Sequence, residues 1–183
     1  MYDQFKTRAE GVSAEVHRFP TQVAALDFII GFLRDEGVAD APQQRAVWAD
    51  CPFLAGVDRQ QLADIAGLHL EVSRERAAEA HIGISQVDWA LADTGTLGQD
   101  ATAIDKRLVS TLPFIHIALV STASLIPDMP TWLAQVHPKE SGYLSLITGP
   151  SRTADIERVL TIGVHGPERL IIIFVDELGG KNQ

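Results

Sequence analysis

The chain has 183 residues, 15 basic and 24 acidic side chains for a formal charge of -9, 46% hydrophobic residues and a single cysteine. A chain of this length buries roughly 70% of its unfolded surface and needs no disulfide or metal staple. Cys51 alone excludes an internal disulfide, a four-cysteine zinc site or an iron–sulfur cluster held by this chain. The acidic balance has no basic run to offset it and argues against nucleic acid or an anionic membrane as partner. Met1 to Lys6 shows no basic region followed by an apolar stretch, so no secretory signal is read and the expected location is the cytoplasm. The longest apolar run, Leu170 to Val175, has six residues, where a membrane-spanning helix needs about 20.

In chain order, Met1 to Val12 has near-helical spacing, and Val16 with Phe19 suggests a short strand ending at Pro20. Val23, Leu26, Ile29, Ile30 and Leu33 step by three and four, which predicts a helix capped by Thr21 and stopped at Gly37. Val38 to Gln44 reads as a loop, Ala46 to Ala49 as a strand, and Cys51-Pro52 as punctuation. Asp58 caps a predicted helix carrying Leu62, Ile65 and Ala66 up to Gly67, and Leu68 to Val72 alternates like a strand. Ala90 to Ala92 leads into Asp93-Thr94-Gly95-Thr96. Phe114 to Val120 has the continuous apolar character of a strand covered on both faces. Met129 to Val136 reads as a helix with Trp132, Leu133 and Val136 inward, Leu144 to Thr148 as a strand, Thr153 to Ile162 as a helix, and Leu170 to Val175 as a last buried strand. This alternation predicts one layered α/β domain over residues 1–183, with a largely parallel sheet flanked by helices and a peripheral helical segment at about 1–15.

Gly149-Pro150-Ser151-Arg152-Thr153 sits where a strand hands over to a helix, and ligands of open α/β sheets bind beyond strand carboxyl ends. Helix N–H groups, the Ser151 and Thr153 hydroxyls and the Arg152 guanidinium could together hold a phosphate or carboxylate. The alternative is ordinary helix capping, with Arg152 paired to Asp155 or Glu157. Asp93-Thr94-Gly95-Thr96 matches the aspartic-protease tetrad, but that chemistry needs two such carboxylates sharing a proton on an all-β scaffold. Here the motif reads either as a tight turn with Gly95 at positive φ or as a second wall of the Ser151 crevice. His165, in the turn Gly163-Val164-His165-Gly166-Pro167, is a candidate acid/base or a solvated turn residue. His116, inside an apolar strand, reads as a satisfied core residue. Lys106-Arg107 could meet an anion or form a solvated surface, and Cys51 reads as an inert buried thiol. No histidine pair has the i, i+4 spacing of a helical metal site, and neither a P-loop nor a G-x-G-x-x-G motif occurs.

Trp89 through Thr96, Leu112-Pro113 with His116-Ile117-Ala118, Ile147 through Glu157, and Gly163 through Pro167 together resemble the lactate utilization (LUD) domain family, in its LutC/YkgG-like branch. The likeness covers about the last hundred residues, and Thr148 through Glu157 is its most specific string. Leu97 through Thr102 is more polar than the corresponding family segment, while Arg107 falls where a basic residue is expected. The resemblance implies a fold similar to the NagB/RpiA/CoA-transferase-like superfamily and a part in oxidising L-lactate to pyruvate. It further implies iron–sulfur clusters on partner proteins and no cofactor in this chain. The first functional expectation is therefore an accessory component whose crevice, built by Thr94, Gly95, Thr96, Arg107, Ser151, Arg152 and Thr153, holds a small anion. The alternatives are a sugar-phosphate isomerase or CoA-transferase-like enzyme using Asp93 or His165, and a docking subunit without catalysis.

Overall fold

The structure, a computed structural model, describes residues 1–136, 141–152 and 166–178. In chain order the first elements are α1 (Tyr2–Gly11), β1 (Glu15–Phe19), α2 (Gln22–Asp35), β2 (Arg45–Trp48), α3 (Arg59–Ala63), β3 (Leu68–His69), α4 (Arg74–Glu79) and β4 (Ala80–Gln86). There follow β5 (Trp89–Leu91), β6 (Thr96–Asp100), α5 (Ile104–Thr111), β7 (Ile115–Ser121), β8 (Leu125–Ile126), α6 (Met129–Gln135), β9 (Leu144–Ile147) and β10 (Arg169–Val175). The predicted caps form as expected: Thr21 accepts from the Ala24 amide at 3.1 Å and Asp58 from the Gln60 amide at 2.9 Å.

Six parallel strands form one sheet in the order β1-β10-β7-β4-β2-β3. β10 and β7 lie inside it, which is why their sequences are almost continuously apolar: alternate side chains enter opposite cores. Ile171, Ile173 and Val175 join Ile115, Ile117 and Leu119 under α2 and α3, where Ile29, Leu33 and Leu62 are buried. Leu170, Ile172 and Phe174 face the other way, with Ala118 and Val120. That second face is covered by α1 and by a smaller sheet in the order β8-β5-β6-β9. The result is α/β, with a helical layer on one face and a mixed layer of helix and small sheet on the other.

Three expectations change. The amino-terminal helix is not peripheral, because Phe5 and Ala9 are fully buried and the Phe5 and Phe174 rings meet edge to face at 5.1 Å. Leu133 does not point inward but is 60% exposed; Trp132 and Val136 alone carry the buried side of α6. The strand at Leu144–Ile147 does not extend the parallel sheet, since it pairs antiparallel with β6 in the small one. That pairing also turns the polar Thr96–Asp100 stretch into a strand whose first four residues are buried.

Candidate functional site

Because β9 belongs to the small sheet, its carboxyl end does not sit at the carboxyl edge of the parallel sheet, where the sequence placed the crevice. It meets the starts of β7 and β10 instead, and a cavity of about 250 Å³ lies there. Leu146 to Ser151 form one wall, Ser110 and Thr111 at the end of α5 another, and His116, Leu170, Gly166 and Pro167 complete the described lining. Hydroxyl groups and apolar side chains alternate around it, a lining suited to a small ligand with one polar end.

His116 enters from β7 on the same face as Ala118 and Val120, so its imidazole points to the small sheet. Its Nε2 lies 2.9 Å from the Ser85 hydroxyl on β4, and the Gln99 side-chain amide on β6 donates to that same hydroxyl at 3.3 Å. All three residues are 0% exposed. Burial pulls the His116 pKa down to about 4, so the ring is neutral at pH 7. Its Nδ1, the Gln99 carbonyl oxygen Oε1 and the hydroxyl of Ser145, which stands opposite Gln99 in the strand register, have no hydrogen-bond partner among the described residues. A buried polar atom left unpaired costs about 1–3 kcal/mol, and three in one place mark a site that ordinary packing does not account for.

The residues singled out from sequence separate into two groups. Thr96 and Ser151 reach the cavity region: the Thr96 hydroxyl bonds the Thr148 hydroxyl at 2.8 Å, and Ser151 lines the cavity while its amide donates to the Pro167 carbonyl at 2.8 Å. Asp93, Thr94 and Gly95 form the hairpin turn joining β5 to β6, closed by the Gly95 amide on the Leu91 carbonyl. Gly95 has φ +67, and a Cβ there would stand 2.8 Å from the Ala9 Cα. Its role is thus a turn pressed against α1, and the Thr94 hydroxyl donates back to Asp93 at 3.2 Å. Neither Asp93 nor Thr94 lines the cavity.

Arg152 is exposed and spends an Nη2 donor on the Val12 carbonyl at 3.0 Å; it is absent from the described lining. Arg107 lies over the Tyr143 ring at 4.9 Å, and its backbone carbonyl accepts the hydroxyls of Ser110 and Thr111, so it steadies the α5 wall without facing the cavity. Lys106 pairs with Asp88 at 3.6 Å. Cys51 is buried, and that burial pushes its thiol pKa up, away from nucleophilic thiolate. Thr153, His165 and the helix expected over Thr153 to Ile162 lie outside the described residues. Among the described residues no cluster of three or more His, Cys, Asp or Glu is placed to hold a metal ion, and no helix is long and apolar enough to cross a membrane.

Ser85 and Gln99 carry no sequence motif and His116 sits in an apolar strand; a polar side chain at the buried phase of a strand is the signal each offers.

Gly149 fixes the cavity loop. It has φ +70, and a Cβ would stand 2.6 Å from the Val12 carbonyl oxygen that Arg152 also holds. Gly149→Ala is expected to cost about 1–2 kcal/mol from the left-handed backbone alone, with further loss from the contact. Urea unfolding would show it, and an unchanged midpoint would mean that the loop relaxes freely.

The model of the LUD domain family matches residues 2–175. Similar curated proteins are named lactate utilization protein C: one from an Exiguobacterium species is 39% identical over 114 residues, 59% of this chain and 50% of that protein. Another, from Halalkalibacterium halodurans, is 37% identical over 117 residues, 60% of this chain and 51% of its own length. The matched region thus spans about half the length of these curated relatives. A crystal structure of a DUF162 family protein from Deinococcus radiodurans matches with a TM-score of 0.61 at 20% identity, covering 95% of each chain, a likeness of fold. With a family model spanning nearly all of the described fold, the chain belongs to the LUD domain family.

Proposed function

We propose that this chain serves the utilization of L-lactate in the cytoplasm, as a component that holds a small carboxylate or phosphate while iron–sulfur proteins acting beside it carry away the electrons released as lactate is oxidised to pyruvate. The observation that carries this reading is the cavity of about 250 Å³ walled by the Thr148–Ser151 loop, the same string on which the family likeness is most specific. The names of the relatives supply the metabolic context. The division of labour follows from ligand chemistry: a cluster needs about four thiolates or equivalent ligands, and this chain's one cysteine is buried. The isomerase or transferase reading loses its acid/base candidate Asp93 from the cavity lining.

The test is thermal unfolding of the purified protein with L-lactate, pyruvate or phosphate. A ligand present at a hundredfold over its Kd is expected to raise Tm by about 5–10 °C. Ser151→Ala is expected to reduce that shift, whereas Arg152→Ala is expected to leave it in place, because the Arg152 guanidinium is engaged on the Val12 carbonyl. No shift from any of the three ligands would remove this reading.

A further inference from the structure

The Ser85–His116 contact can run in either direction, and the direction decides what the cavity offers a ligand. The Gln99 amide donates to the Ser85 oxygen, which leaves the Ser85 hydroxyl with its one proton to give and a second lone pair to accept with. Its neighbour on the other side is His116 Nε2 at 2.9 Å. A nitrogen that accepts a hydrogen bond in a neutral imidazole carries no proton, and the ring proton then resides on Nδ1. The two ring nitrogens point to nearly opposite sides of the ring. Nε2 faces Ser85 on β4, and His116 and Leu170, the residue registered opposite it on β10, both line the cavity. That Nδ1 is fully buried and has no partner among the described residues.

We propose that His116 is the ligand-contacting group of this cavity, held by Ser85 and Gln99 as positioning residues with its Nδ1–H turned outward, so that the site takes a small carboxylic acid whose acceptor oxygen meets that N–H. The apolar end of such an acid has Leu146 and Leu170 to lie against, and the Ser151 hydroxyl serves its remaining oxygen. This inference rests on the reading of the cavity as a ligand site and adds the recognising atom and its protonation state. The low imidazole pKa agrees with it, since a ring that stays neutral across the physiological range presents the same donor throughout.

Pyruvate is the probe, and the measurement is a long-range proton–nitrogen NMR correlation on protein labelled with nitrogen-15 in histidine, with His116 assigned by His116→Phe. In the free protein the proton is expected on Nδ1, and saturation with pyruvate is expected to move the Nδ1 resonance. His116→Phe should weaken pyruvate binding roughly tenfold, the worth of one hydrogen bond in a dry site. Ser85→Ala should weaken it severalfold and scramble the tautomer, and Ser85→Thr, which keeps the hydroxyl, should restore both. A proton found on Nε2, or pyruvate that raises Tm while both His116 nitrogens stay unmoved, overturns this inference and leaves the cavity reading standing. Absence of binding by pyruvate, L-lactate and phosphate alike overturns the two together.

Discussion

Between pH 6.5 and pH 4 the protein is expected to lose about 3 kcal/mol of unfolding free energy through His116 alone. The folded ring takes up its proton only near pH 4, because it is fully buried, while the unfolded chain takes one up near 6.5. In that window the unfolded state binds more protons, so acid favours it. The contribution is complete above pH 6.5 and is lost as pH falls toward 4. His17, half-buried and likewise shifted down by burial, acts in the same direction. Comparing wild type with His116→Phe therefore isolates the larger effect: urea midpoints at pH 7 and pH 4.5 should diverge less in the variant. Equal slopes for the two proteins would mean that the imidazole is not buried neutral, and the hydrogen-bond direction assigned to Ser85 would fall with it.

The other large effect is expected from Phe174→Ala, at about 3–5 kcal/mol, the range for removing a fully buried phenyl ring. Phe174 is 0% exposed on β10 and meets Phe5 and Tyr2 edge to face, at 5.1 and 5.3 Å. The ring therefore does two things at once: it fills the core above β10 and fastens α1 to the sheet. Double substitution with Phe5→Ala should reveal a coupling of about 0.5–1.5 kcal/mol. A cost below about 1 kcal/mol, or strict additivity of the pair, would show that α1 is peripheral, as expected from the sequence. The consequence reaches the cavity, because Val12 at the end of α1 supplies the carbonyl that Arg152 holds and against which Gly149 is pressed.

Where side-chain chemistry acts over a few residues, the sequence was sufficient. The Thr21 and Asp58 caps form, α2 buries Leu26, Ile29 and Leu33 as its spacing predicts, and the apolar runs at Ile115–Ser121 and Arg169–Val175 are inner strands of a parallel sheet. Ser151 lines the cavity, and Thr96 stands beside it through its hydrogen bond to Thr148. Asp93-Thr94-Gly95 is readable from sequence either as a turn or as a crevice wall, and Gly95 takes the positive φ of the turn.

Partnership between distant segments was not legible, because periodicity reports which side chains are buried and not against what. Leu144–Ile147 has the same pattern whether it joins the parallel sheet or pairs antiparallel with β6, and that choice decides which strand ends surround the cavity. The polar stretch Thr96–Asp100 is a buried strand because it pairs with β5 and β9, and its Gln99 meets Ser85 of the larger sheet across the interior. Arg152, free to meet an anion in the sequence, is engaged by a carbonyl 140 residues away. The sequence by itself thus determined the α/β class, the apolar centre of the sheet, and a family likeness carried by local strings. Tertiary structure decided the place of the cavity and which polar side chains are buried beside it, because burial exists only once strands from different parts of the chain lie side by side.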